Sequence, residues 1–198
     1  LKVKTHQVIA HTAYELVKAY LPITFNEKAI SLGAGMPDLA PHRRFKAHNI
    51  KIAAKEWESF TEFVHKRRYT IWLISYAAGI MSHYISDTFC YAHNFHDLSL
   101  RQHRKYEVYM QRHIRDLTQH FDISLIFKKW NELRKKGIDA YIYMENESYK
   151  AEIANCHTMH ERMELDVNKA VLNSAVWMLE IAFVLYPTFI EGVATKYT

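Results

Sequence analysis

The chain has 198 residues, 49% hydrophobic and 24% charged, with a formal net charge of +5. That is the profile of a globular protein with ample material for one core, so residues 1–198 are expected to form a single domain. Five glycines and four prolines are too few for the turns of an all-β fold, which favours helix.

The predicted elements run in order. THQVIAHTAYELVKAYL repeats apolar residues at helical spacing, with Thr5 as the expected N-cap. FNEKAISLGA reads as a short second helix stopped by Gly33 and Gly35, and GMPDLAPHRRFKAHN as a loop with two prolines. IKIAAKEWESFTEFVHKRR is an amphipathic helix. YTIWLISYAAGIMSHYISDTF is apolar nearly all round, which places it at the centre of a bundle. LSLRQHRKYEVYMQRHIRDLTQHF is a further helix with Ser99 near its start. DISLIFKKWNELRKK follows and stops at Gly137. IDAYIYMENESY carries no clear period. The remaining stretch, from Lys150, reads as one long helix or two abutting ones, ended before Pro187. The fold class is therefore all-α, one multi-helix domain of about six to eight helices.

No signal peptide is visible, and the balance leans to the cytoplasm over secretion with a leader removed. No apolar run is expected to span a membrane: the longest, AVLNSAVWMLEIAFVLYP, is interrupted by Asn173 and Glu180 and reads as a core helix. Cys90 and Cys156 show no CxxC pattern and give no disulfide framework. The spread of lysine and arginine suits a solvated surface, with a weak preference for anionic partners.

Thirteen histidines is a heavy load for this length, and four of them fall in SHYISDTFCYAHNFHDLSLRQHRKYE, Ser82 to Glu107. His83 and Asp87 are four apart on the apolar helix and share a face. His103 and Glu107 repeat the spacing on the next helix, and His93 lies between the pairs. Zinc favours histidine nitrogen and carboxylate oxygen, and an i, i+4 pair offers two ligands to one ion. Such pairs also stabilise helices without metal. Two pairs with a histidine between them, on the most apolar helix and its successor, go beyond that need.

GIMSHYISDTFCYAHNF followed by HRKYE resembles the metal-binding core of the bacterial zinc-dependent phospholipase C family, which is related to the fungal single-strand-specific nucleases. The matching positions are His83, Tyr84, Asp87, His93, His103, Lys105, Tyr106 and Glu107. THQVIA resembles that family's N-terminal histidine segment and GAGMPD its aspartate near glycine, so the resemblance runs from His6 to Glu107. It implies an all-helical fold with two to three zinc ions. One would take Asp38, a loop histidine, His83 and Asp87, and a second His93, His103 and Glu107. The third would take His6, a shared Asp87, and the main-chain amine and carbonyl of the mature N-terminus. Two loop histidines qualify: reach favours His48, with His42 as its supporting partner or an alternative ligand. His11 could substitute in the third set, but it follows His6 by five positions and points away on a regular helix.

The implied activity is that of a zinc-dependent phosphodiesterase, a phospholipase C that cleaves a phospholipid to diacylglycerol and a phosphorylated head group. Asp38 and Glu107 are the residues expected to act in catalysis, with Asp38 orienting or deprotonating water. Phe45, Tyr84, Phe89 and Phe95 are candidates for a lipid pocket. The expected partner is a phospholipid or other phosphodiester, with transient contact to a membrane surface and no protein partner. The alternatives are a single-strand nuclease or nucleotidase using the same zinc ions on nucleic acid, and a non-catalytic protein whose zinc braces the helices. His65, His113 and His120 are assigned to solvated faces, His157 and His160 to an incidental surface pair, and His96 and Asp97 to support of His93.

Overall fold

The computed structural model describes residues 1–40, 50–66, 69–95, 97–118 and 121–187. Its elements are α1 (Val3–Val17), a 3-10 turn (Lys18–Tyr20), α2 (Glu27–Leu39), α3 (Ile50–Lys66), α4 (Ile71–Thr88), α5 (Tyr91–Asn94), α6 (Leu100–His113), α7 (Ile123–Lys136), α8 (Ile138–Ile153) and α9 (Met159–Leu185). The described residues hold no strand, so the chain is a single all-α domain. The nine α-helices among the described residues exceed the expected six to eight.

Local chemistry sets most boundaries. Asn26 caps α2 by accepting from the Ala29 N–H at 2.9 Å, and Thr70 caps α4 by accepting from the Leu73 N–H at 3.3 Å. Ser99 with Gln102, and Thr158 with Glu161, form capping boxes at the starts of α6 and α9. Gly137 ends α7 at φ +79°, a conformation that strains other residues. IDAYIYMENESY is helical after all, as α8, and a break at Ala154–Thr158 separates it from α9.

Two boundaries correct the sequence reading. Helix α1 begins at Val3, with Lys2 rather than Thr5 at the N-cap; Thr5 lies one turn inside with its hydroxyl buried. Helix α2 is not stopped by Gly33 and Gly35 but continues through Pro37 to Leu39. The glycines serve packing instead. A Cβ on Gly33 would collide with the Tyr76 carbonyl, and one on Gly79 with the Ile30 carbonyl. Helices α2 and α4 thus cross with their backbones in contact, and burial against α4 outweighs the weak helix propensity of glycine. The consequence for the site is direct: Asp38 rides on the last turn of a helix, not on a loop.

Helix α4 is the axis of the bundle, packed by α1, α2, α3 and α9. Its buried face uses small residues, Ser75, Ala78, Gly79, Ser82 and Ser86, between Ile74, Met81 and Ile85. Ser82 donates to Ser174 of α9 at 3.0 Å, and the Ser75 hydroxyl accepts from the Asn26 N–H at 2.8 Å. Helix α9, at 27 residues, is long and apolar enough to cross a membrane by length and composition alone. In the fold, 83% of its most apolar window is buried, as expected of a core helix. Its polar interruptions are satisfied: Glu180 accepts from the Trp130 indole at 2.8 Å and Asn173 from the Tyr141 hydroxyl at 3.0 Å.

The α2–α4 crossing yields a stability test. Gly79→Ala should destabilise the protein by about 1–3 kcal/mol through overpacking. Urea unfolding checks this, and a midpoint equal to that of the unaltered chain would show that the two backbones can separate without cost.

Candidate metal centre

The C-terminal half of α4 carries His83 and Asp87 on one face, and both are buried. Helix α1 brings His6 beside them, its ring stacked on that of His83 at 3.7 Å between centroids and 24° between planes. His6 Nε2 lies 3.5 Å from Asp87 Oδ1, and His83 Nε2 lies 3.3 Å from Asp87 Oδ2. Nδ1 of His83 is 2.9 Å from the Ala34 carbonyl, which can only accept. The Nδ1 proton is therefore fixed there, and in the neutral ring Nε2 presents its lone pair to Asp87. Asp38 sits at the rim of this group, 3.9 Å from His6 Nε2 and 4.0 Å from His83 Nε2.

A second group adjoins the first. His103 Nε2 and Glu107 Oε1 are 3.1 Å apart on α6, and His93 Nε2, from α5, is 3.5 Å from the same oxygen. Asp87 bridges the groups, with Oδ1 3.4 Å from His93 Nδ1. Ligand atoms of His6, His83 and Asp87 all lie within 4.8 Å of one another, and so do those of His93, His103 and Glu107.

The main-chain nitrogen of Leu1, an ammonium in this structure, lies between the two triads. It is 3.0 Å from Asp87 Oδ1, 3.0 Å from His93 Nε2 and 3.1 Å from Glu107 Oε1. Acceptors from both triads thus approach the Leu1 main-chain nitrogen. Burial would lower the pKa of this amine, but the Asp87 and Glu107 carboxylates raise it to about 11. Burial likewise opposes ionisation of Asp87, yet the Leu1 ammonium, followed by His93, holds its carboxyl well below the usual range. Glu107 is also depressed, by its hydrogen bond to His93 and the Leu1 ammonium acting against burial. His6 is pushed well down, first by burial and then by His83.

These residues fit a metal. Both ring nitrogens of His6 are buried without a hydrogen-bond partner, a costly arrangement for a histidine serving only the core. A neutral imidazole with a lone pair to give, a histidine with its far nitrogen anchored on a carbonyl, and two ionised carboxylates make a mixed nitrogen and oxygen donor set of the kind zinc takes.

The structure therefore gathers His6, Asp38, His83, Asp87, His93, His103 and Glu107 into one cluster. His42 and His48, the alternatives for the loop ligand, lie outside the described residues, as do Phe45, His96 and His120. The side chain of His65 is also outside them. His11 is not part of the cluster: it is exposed and lies 4.0 Å from Glu27, as five-residue spacing from His6 on a helix requires. His157 and His160 are exposed and join neither triad, and His113 lies 3.8 Å from Asp116. Tyr84 and Phe89 are fully buried in the core and line no lipid pocket. Phe95 is partly buried, stacked on Tyr91 at 4.9 Å between centroids. Sequence reasoning missed Asp166, whose buried carboxylate lies behind the second triad; no spacing rule links it to His93 or Glu107.

A family model for zinc-dependent phospholipase C matches residues 5–168. No curated protein and no solved structure matches the chain. The match covers more than half of the sequence, and the chain belongs to the zinc-dependent phospholipase C family.

The low pKa of His6 fixes the sign of a pH effect in metal-free protein. His6 stays neutral in the fold while its unfolded counterpart gains a proton below the ordinary value of 6.5. The contribution is complete above pH 6.5 and is lost as pH falls toward the lower folded value. Chelator-treated protein should lose stability along that limb, and His6→Gln should flatten it. Thermal unfolding across pH 5–8 is the measurement, and parallel profiles for the two chains would show that His6 is not held neutral.

Proposed function

We propose that this member of the zinc-dependent phospholipase C family is a zinc-dependent phosphodiesterase that hydrolyses a phospholipid to diacylglycerol and a phosphorylated head group. The observation that carries the reading is the pair of adjoining triads, bridged by Asp87. Structural zinc sites are usually closed and mononuclear, whereas two adjacent donor sets with a partly open edge suit catalysis. Family membership supplies the reaction class, and the donor chemistry supports zinc as the cofactor, with two to three ions.

His6, His83 and Asp87 would hold one ion and His93, His103 and Glu107 another, with Asp38 completing the first set and the Leu1 amine adjoining both. When bound, zinc supplies a Lewis acid for the phosphoryl oxygens and lowers the pKa of a water molecule. The rest falls to the chain. Asp38 is the most solvent-accessible of the clustered carboxylates, its side chain 25% exposed, so it can reach water and accept its proton. Asp87 and Glu107 would hold the metal with their carboxylates, and that negative charge disfavours a phosphate until the metal is in place. In the overall step, water oxygen bonds to phosphorus, the bond from phosphorus to the glycerol oxygen breaks, and the proton taken by Asp38 returns to that oxygen. Neither cysteine takes part: Cys90 is buried, and its thiol is pushed well up by burial and by Asp166.

Purified chain should contain at least two zinc ions by elemental analysis and cleave a chromogenic phosphocholine ester. Cleavage of single-stranded DNA alone would reassign the substrate to nucleic acid, and cleavage of neither by zinc-loaded protein would make the metal structural. Asp87→Asn should lose zinc and activity together. Asp38→Asn should lower kcat by about 10²–10⁴-fold, the usual range for loss of a general base; full activity in either variant counts against its assigned role.

A further inference from the structure

The second triad is held by two pieces of chain that do little for one another. Helix α5, which carries His93, is four residues long and cannot be stable alone. Helix α6 carries His103 and Glu107 and is exposed along much of its length. What joins them lies one layer deeper, on α9.

Asp166 is 1% exposed, and its carboxylate accepts three hydrogen bonds from three elements. The Tyr91 N–H at the start of α5 donates to Oδ2 at 2.9 Å. The Tyr106 hydroxyl of α6 donates to the same oxygen at 2.7 Å. The Tyr149 hydroxyl of α8 donates to Oδ1 at 2.6 Å. Tyr91 is two residues before His93, and Tyr106 stands between His103 and Glu107. One oxygen atom thus ties together the two segments that supply the second triad. Arg162, one turn before Asp166, stacks its guanidinium on the Tyr91 ring at 4.8 Å, and the Tyr91 hydroxyl donates to Asp97.

A buried carboxylate needs donors, and three of them satisfy it wherever they come from. That need alone does not explain why two come from beside triad residues and meet on one oxygen. The third donor, Tyr149, bonds the other oxygen from a helix that carries no triad residue, and so provides an internal control.

We propose that Asp166 is a positioning residue for the second metal site: through the Tyr91 N–H and the Tyr106 hydroxyl it sets His93 against His103 and Glu107, and thereby that site's affinity for zinc. The inference rests on the proposed zinc function. It assigns Asp166 no contact with metal or substrate.

The test is zinc affinity by chelator competition on the full chain, with thermal unfolding of each metal-free variant measured alongside. Glu107→Gln identifies which class of bound zinc belongs to the second triad. Asp166→Asn and Tyr106→Phe should each weaken that class by about 10- to 100-fold, the usual effect of losing a partner that orients a ligand. The other class should not move. Tyr149→Phe removes a donor from the same carboxylate and should lower the unfolding temperature while leaving both classes intact. If Tyr106→Phe and Tyr149→Phe weaken zinc equally, in step with their loss of stability, Asp166 is only a fastener of the core and the inference fails. It fails too if Asp166→Asn binds zinc normally. Should Asp166→Asn not fold, the tyrosine pair decides the matter. Unaltered chain that takes up no zinc would sink the proposed function itself, an outcome distinct from selective failure in the variants.

Discussion

A carboxylate has been placed at the buried end of the central helix, and the surrounding structure answers to it. Asp87 is 1% exposed, where an unpaired charge would be prohibitively costly. Its two oxygens meet the Leu1 ammonium, His6, His83 and His93, all at 3.0–3.5 Å. Those partners come from α1, α4, α5 and the chain before α1. Satisfying one buried charge therefore fixes how the start of the chain, the central helix and the following turn meet. Yet the partners are poor compensation without metal. His6 is held neutral, so it offers a lone pair where Asp87 needs a cation. Both ring nitrogens of His6 lack a hydrogen-bond partner beside the Asp87 carboxylate, an arrangement that added positive charge would relieve.

Such a site needs a rigid support, because ligand atoms misplaced by a fraction of an ångström lose affinity. Rigidity comes from close backbone approach on one side and from polar fasteners on the other. The Gly33 and Gly79 crossing locks α2 onto α4, which sets Asp38 and the Ala34 carbonyl relative to His83. At the far end, Asn146 donates to the Thr88 carbonyl at 2.7 Å and to Asn94 at 3.1 Å, fixing the corner where α4 gives way to α5. The Asp166 network then fixes α5 to α6. The two polar fasteners join buried groups of different elements, the condition under which such bonds specify one arrangement.

The sequence showed the site more clearly than the fold's details. Contacts at i, i+4 are written in local spacing, so His83 with Asp87 and His103 with Glu107 could be paired without a structure, and the apolar run between Ile71 and Met81 announced a central helix. His6 and Asp38 were reached only through the family resemblance, since nothing local connects α1 or α2 to α4. The misreadings share a cause. Gly33, Gly35 and Pro37 read as punctuation because their propensities oppose helix, but tertiary contact with α4 decides their conformation. Tyr84 and Phe89 were placed near substrate because they adjoin the ligands in sequence, although neighbours on a helix point to different faces. Asp166 was invisible for a deeper reason: its partners lie 75, 60 and 17 residues away.

The two triads are not equivalent, and the difference bears on how the proposed reaction would run. His6, His83 and Asp87 are all buried, and their side chains have no exposed surface. In the second triad the side chains of His103, His93 and Glu107 are 32%, 16% and 11% exposed. Asp38, at 25%, opens on the first group's rim. Within the proposed function, a phosphodiester would approach across the edge formed by Asp38, His93 and His103, the most exposed of the clustered side chains. The deep triad would then act chiefly as a fixed field beneath the substrate, while the shallow one meets the phosphate directly. This assigns the strictest positional demand to the triad with the weakest local support, a four-residue helix and an exposed one. A buried fastener such as Asp166 is needed on that side of the cluster, whereas the deep triad is already braced by the core.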